Sequence, residues 1–334
     1  MFLRNKTSLD VSLARGHVSD ELAVAAVVVS HVLRAQGNCL VPFPERAPAR
    51  DTDPPDISRL PLWDGVSITA AGAALGPGRE PYVRPVLFRI GAVERRLIVF
   101  GDRWWERRLG GALEASAPAP FDRIELSFGR AFGGAYDLPP GLLPGTDLPH
   151  PGIRVAYPLN EHGIGYYPEE RAALGAPLPN IERPDQLVRT WNDAPDPAGF
   201  SPCPALGALR MKPEVHAAAS STEGTPSLAS GAAQVLRLYH HAPPVLIFDG
   251  LLPGTPIELS GACADPMRFV VPPSPATVSV RAGKTDTEIQ PRLRALHVDA
   301  EHRIVRTVYD HSFRYDPRLA PSWIRIALAS GGAS

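Results

Sequence analysis

The sequence predicts a mostly β protein: antiparallel sheets in a sandwich-like arrangement, few short helices, and a long irregular insertion rich in Pro, Gly and aromatic residues. Three observations predict it. Short apolar runs recur at close spacing, each bounded by Gly, Pro or Asp. Helical periodicity is scarce. And repeated Pro and Gly accompany a near absence of helical or strand periodicity from Ala135 to Pro202.

In chain order, Leu22 to Leu33 reads Leu-Ala-Val-Ala-Ala-Val-Val-Val-Ser-His-Val-Leu. Its valines favour a buried strand, although its alanines leave a helix open. Gln36-Gly37-Asn38 turns it and Leu40-Val41 resume apolar character, a hairpin pattern. Pro42 to Pro61, dense in Pro, Asp and Arg, reads as surface loop. Ser67 to Ala74 and Val83 to Ile90 are the next strands; Pro85 suggests an edge position for the second. Gly91-Ala92-Val93-Glu94 then hairpins it onto Arg95 to Phe100. Pro168 to Gly175 predicts a two-turn helix, with proline and acids at its start and glycine at its end.

Pro213 to Gln234, rich in Ala, Ser, Thr and Gly, reads as a linker or mobile excursion. Strands resume at Val235–Tyr239, Val245–Phe248, Pro256–Leu259, Arg268–Val271, Thr277–Val280, Leu293–Val298, Ile304–Tyr309 and Trp323–Leu328. The expected organisation is a β-rich domain over 1–210, a linker over 211–234 and a β-rich subdomain over 235–334.

Composition bounds the function. With 44% hydrophobic and 21% charged residues, this is an ordinary soluble globular composition. A net charge of -1 argues against a chain built to neutralise nucleic-acid phosphates. Lysine occurs only at Lys6, Lys212 and Lys284, so nearly all basic residues are arginine. Codon bias explains that, or a surface made for bidentate, stacked contacts. Cys39, Cys203 and Cys263 have no metal or redox spacing, which points to a reducing compartment. The first residues lack the apolar core of a signal peptide, and Leu22 to Leu33 is too short to span a bilayer. A cytoplasmic protein without membrane partners is expected.

The segment from Ile98 to Pro202 is the most distinctive. From Ala135 onward it shows almost no helical or strand periodicity, and a loop of that length inside a domain is normally functional or disordered. Prolines restrict its unfolded ensemble. Trp104, Trp105, Tyr136, Tyr157, Tyr166, Tyr167, Trp191 and Phe200 offer enough area to fasten it to a sheet. Trp104-Trp105 lie beside Arg103, Arg107 and Arg108, as a stacking platform for bases or as anchors with arginines over their faces; the neutral charge favours anchors. If Phe128 to Phe132 is extended, Phe128, Arg130 and Phe132 share one face, and a buried arginine salt bridge or direct ligand contact follows.

Recognisable catalytic or cofactor chemistry is lacking. The sequence has no phosphate loop, nucleophile elbow or metal-binding histidine pair, and no cofactor is implied. His297 and His302 flank a turn and read as solvated; the adjacent His240-His241 point to opposite faces of a strand end. Glu161 and His162 are the best acid–base cluster, but nothing at recognisable spacing orients them, so a hydrolase is the alternative rather than the expectation. A carbohydrate- or surface-binding β module is a third reading.

Gly101-Asp102-Arg103-Trp104, Pro120-Phe121, Arg130-Ala131-Phe132-Gly133-Gly134, Asn160 with Gly163-Ile164-Gly165-Tyr166, Leu178-Pro179-Asn180-Ile181-Glu182 and Pro197-Ala198-Gly199-Phe200-Ser201-Pro202 stand in that order. Together they resemble the signature of the Domain of Unknown Function 2169 family. Pro61 to Ala74 keeps only a remnant of the family's early segment, so the resemblance is to a divergent member. It implies a non-enzymatic adaptor or chaperone that binds a type VI secretion effector, a toxin, in the cytoplasm and helps load it onto the secretion spike protein. Arg103, Trp104, Trp105, Arg130, Phe132, Tyr166, Tyr167, Asn180, Glu182, Trp191 and Phe200 would then bind the partner or anchor the loop.

Overall fold

The valine-rich run near the start forms a strand from Leu22 to Gln36, in which Ala25, Ala26, Val27, Val28 and Val29 are all buried. Burial on both faces explains why the run shows no polar alternation. In a computed structural model the chain is described over residues 2–19, 22–43, 65–108, 111–142, 147–202, 242–282, 285–316, 318, 321 and 323–329. It is mostly β, with several antiparallel sheets and, among the described residues, one α-helix of a single turn, Glu170–Ala173. The expected linker, the strand over 235–239, His240-His241 and Cys203 lie outside these residues.

Two units emerge, and they do not follow chain order. One comprises described residues within Met1–Thr69, Arg210–Pro256 and Arg268–Ser334; the other lies within Ala70–Leu209 and Ile257–Met267. The sequence alone suggested consecutive regions over 1–210 and 235–334.

In the first unit, Leu22–Gln36 pairs antiparallel with Asp10–Ser19 on one side and Ile304–Tyr315 on the other, and the latter with Arg292–Asp299. The hairpin at Gly37 forms as expected: its φ is +60°, and Cys39–Pro42 folds back on Leu33 to Gln36. A second sheet runs Phe2–Asn5, Trp323–Leu328, Ala276–Ala282, Thr285–Ile289, its first pair parallel. His297 corrects the expectation of a solvated side chain. It is buried, and its Nδ1 lies 2.8 Å from Thr69 Oγ1. His302 sits at the turn, 3.0 Å from Asp299 Oδ2.

In the second unit, Val83–Ile90 and Val93–Phe100 form the expected hairpin, but its loop is only Gly91-Ala92, with Gly91 at φ +58°, and Val93 and Glu94 belong to the strand. Val83–Ile90 is not an edge strand. Pro256–Ser260 pairs on its other side, but the ladder stops at Ser260 opposite Leu87, so Pro85 lies beyond the positions that need an N–H there. Ile181–Glu182 adds to the free side of Val93–Phe100.

The stretch from Ala135 to Pro202 is less irregular than expected. Ala135–Leu138 pairs with Ile153–Ala156, Gly141–Leu142 with Pro149–His150, and Phe132–Gly133 runs parallel to Ile164–Gly165. Ladders of two to four residues are too short to leave a periodic pattern in sequence. The predicted two-turn helix shrinks to Glu170–Ala173, closed by Gly175 at φ +75°.

Candidate functional site

The signature residues converge in the second unit, on two connected clusters. The first is polar. The chain from Phe100 to Trp105 runs beside that from Ala176 to Asn180: Phe100 N–H donates to Asn180 O at 2.8 Å, Leu178 N–H to Arg103 O at 2.9 Å and Trp105 N–H to Ala176 O at 3.0 Å. This register brings Arg103 against Glu182. The Arg103 guanidinium donates to Glu182 Oε1 and, at 2.7 Å, to Pro179 O, and lies 3.8 Å over the Phe100 ring. It therefore stacks on a phenylalanine and not on the tryptophans beside it.

Glu182 Oε2 accepts the Val188 N–H at 2.8 Å, so one carboxylate ties the ladder to the turn that follows it. Both side chains of the pair are buried, and Arg103 Nε has no hydrogen-bond partner. Burial raises the Glu182 pKa above the ordinary carboxylate value, against the pull of Arg103 and the Val188 N–H.

Asn180 is the next member. Its Nδ2 donates to Asp102 Oδ1 at 2.9 Å and to Phe100 O at 3.2 Å, while its Oδ1 accepts from Arg130 at 3.4 Å. Arg130 itself corrects the extended reading of its segment. Phe128–Arg130 is a 3-10 turn, Phe128 points inward, and Arg130 is exposed rather than held in a buried ion pair.

Asn160, quoted in the signature but not proposed as a site residue, clamps this turn. Its Nδ2 donates to Phe128 O at 2.7 Å and Phe132 O at 3.1 Å, and its backbone oxygen accepts Gly134 N–H at 2.8 Å. Gly133 has φ +150°, and a Cβ there would collide with the Asn160 carbonyl. At Gly165 a Cβ would meet Pro179 Cδ at 2.8 Å. The signal was present in the sequence: glycines crowded around an asparagine mark a close backbone approach.

The second cluster is aromatic. Trp105, Leu113, Phe132, Tyr157, Ala173, Leu178 and Val188 are buried together, with Tyr166, Tyr167 and Trp191 half-buried against them. Phe132 meets Tyr157 edge-on at 4.9 Å, and Tyr157 lies 5.6 Å from Tyr166. The Tyr157 hydroxyl donates to Ala194 O at 3.2 Å and Pro195 O at 3.1 Å, carrying the fastening to the end of the segment. Tyr167 donates to Pro177 O at 2.6 Å, and burial pushes its phenol up to about 12.

Phe200 belongs to neither cluster. It packs 5.4 Å from Phe88, and its carbonyl accepts the Ala70 N–H at 2.7 Å. Trp104 is 41% exposed. Glu161 and His162 form a solvated pair, His162 Nε2 3.4 Å from Glu161 Oε1, with side chains 55% and 76% exposed.

A family described as an uncharacterized protein conserved in bacteria (DUF2169) matches residues 7–310. The chain belongs to the DUF2169 family. No curated protein and no solved structure matched it. The match extends beyond the motifs between Gly101 and Pro202 that carry the resemblance, and covers strands of both units of this DUF2169 member. Among its described residues, no helix is long and apolar enough to cross a membrane, and no group of three or more His, Cys, Asp or Glu could hold a metal ion.

Proposed function

We propose that this DUF2169 protein is a non-enzymatic cytoplasmic adaptor, which binds a type VI secretion effector and helps load it onto the secretion spike protein. The role comes from the family resemblance, and one observation carries it for this chain. The buried polar signature side chains bond to one another and to backbone: Arg103 to Glu182 and Pro179, Asn180 to Asp102 and Phe100, Asn160 to Phe128 and Phe132. Such a network fixes the shape of a surface, as docking a polypeptide requires. The solvated Glu161–His162 pair does not favour general-base chemistry, which needs a base held in reach of a substrate proton.

The test is genetic and biochemical. The gene is deleted in its native host, and export of an effector encoded beside it is followed. Export is expected to stop while the effector is still synthesised, and the tagged protein is expected to co-purify with that effector. Undiminished export from the deletion strain would overturn the reading.

A further inference from the structure

From Gly101 to Glu106 the chain alternates inward and outward: Gly101, Arg103 and Trp105 are buried, Asp102, Trp104 and Glu106 exposed. Asp102 and Trp104 therefore stand on the same outer side. Arg130 is tied to Asp102 through one buried amide, since Asn180 binds Asp102 with its nitrogen and Arg130 with its oxygen. That single 3.4 Å hydrogen bond holds the guanidinium at the surface without neutralising it. Arg89, Arg96, Arg107, Arg108, Arg154 and Arg171 each meet a carboxylate; Arg130, like Arg79 and Arg84, meets none among the described residues.

Trp104 is equally unspent on the interior, with 41% of its surface exposed. Yet its backbone is held on both sides. Its N–H donates to Ser116 Oγ at 3.0 Å, its carbonyl accepts the Ser116 N–H at 2.8 Å, and it bridges to Pro177. An exposed indole and an unneutralised guanidinium on fixed backbone are the residue types that dominate protein interfaces, already in place before a partner arrives.

We propose that Trp104, Asp102 and Arg130 form the docking strip for the partner polypeptide, and that it takes an extended segment carrying an Asp or Glu side chain beside an apolar residue. The acid meets Arg130 and the apolar group covers Trp104. Asp102, exposed and held through its Oδ1 by Asn180, adds a negative charge beside the strip that disfavours further acids in the segment. This rests on the adaptor reading and gives that reading a location.

The test probes full-length protein with a positional library of acetylated, amidated dodecapeptides, comparing wild type with Arg130→Glu, Trp104→Ala and the control Arg154→Glu. Wild type is expected to select one Asp or Glu next to an apolar residue. Arg130→Glu should switch that position to Lys or Arg, Trp104→Ala should weaken binding about tenfold or more, and the control should leave selection unchanged. Should Arg130→Glu lower the melting temperature, Arg130→Gln replaces it and should abolish the charge preference without inverting it. No acid preference in wild type, or an acid preference kept by the Arg130 variants, would overturn the strip. The adaptor reading is judged separately: export lost on deletion but fully restored by Trp104→Ala/Arg130→Glu would sink the strip alone, and export indifferent to deletion would sink the adaptor role.

Discussion

Arg103 and Glu182 show how much of this molecule rests on single side chains. Taking an ion pair out of water is costly, and removing one partner leaves the other charge uncompensated. Arg103→Met should therefore destabilise the protein by about 3–5 kcal/mol, read as a shift in the urea midpoint. The double variant Arg103→Met/Glu182→Leu should recover part of that loss, because the stranded carboxylate is gone although the Val188 N–H loses its acceptor. Gly133 is constrained by space as well as by φ +150°. Gly133→Ala should lower stability by about 1–3 kcal/mol, whereas Gly37→Ala, with open space around it, should show only the cost of its own positive φ. Tyr167 gives a pH signature. Its phenol ionises near 10.0 when unfolded and at about 12 when folded, so its contribution is complete below pH 10 and is lost as pH rises toward 12. Tyr167→Phe should flatten the alkaline limb of a stability–pH curve measured by chemical denaturation.

The short parallel ladder between Phe132–Gly133 and Ile164–Gly165 is too small to hold by itself, and Asn160 secures it through two carbonyls. Asn160→Ala leaves both carbonyls buried without that donor. The amides of Ile164 and Tyr166, which bond to Ala131 and Gly133, should then exchange faster with deuterium, while those of Val83–Ile90 should not. Elements differ in how legible they were from sequence, and the reasons are physical. Leu22–Gln36 and the Gly37 and Gly91 hairpins were legible because a continuous valine run and a turn glycine are local signals. Thr285–Ile289 was not, since its first four residues are polar and exposed and bring no apolar pattern. Phe128–Arg130 forms a turn where an extended backbone was considered, and the Asn160 donor that closes over it lies 32 residues away from Phe128. The Arg103–Glu182 pair spans 79 residues and the His297–Thr69 contact 228, so burial of these polar groups was invisible in any local window.

At the scale of the whole chain, two units assembled from non-consecutive stretches share one family match, and the short motifs from Gly101 to Pro202 lie in one of them. The chain there returns repeatedly to the same sheet: Ile181–Glu182 joins Val93–Phe100, Pro256–Ser260 joins Val83–Ile90, and the Phe200 ring reaches Phe88. Ordering so long a connection is opposed by about 1–2 kcal/mol of backbone entropy per residue, which only many buried contacts can offset. The central claim is that the stretch from Ala135 to Pro202 is fastened and preorganised, and that through Asn180 and Pro177 it supports the docking strip at Asp102, Trp104 and Arg130. Native-state hydrogen exchange tests it most directly. The amides of Gly134, Ile164, Tyr166, Leu178, Asn180 and Val188 should be protected to nearly the same degree as those within Val83–Ile90; exchange of these six at the rate of an unstructured peptide would contradict the account.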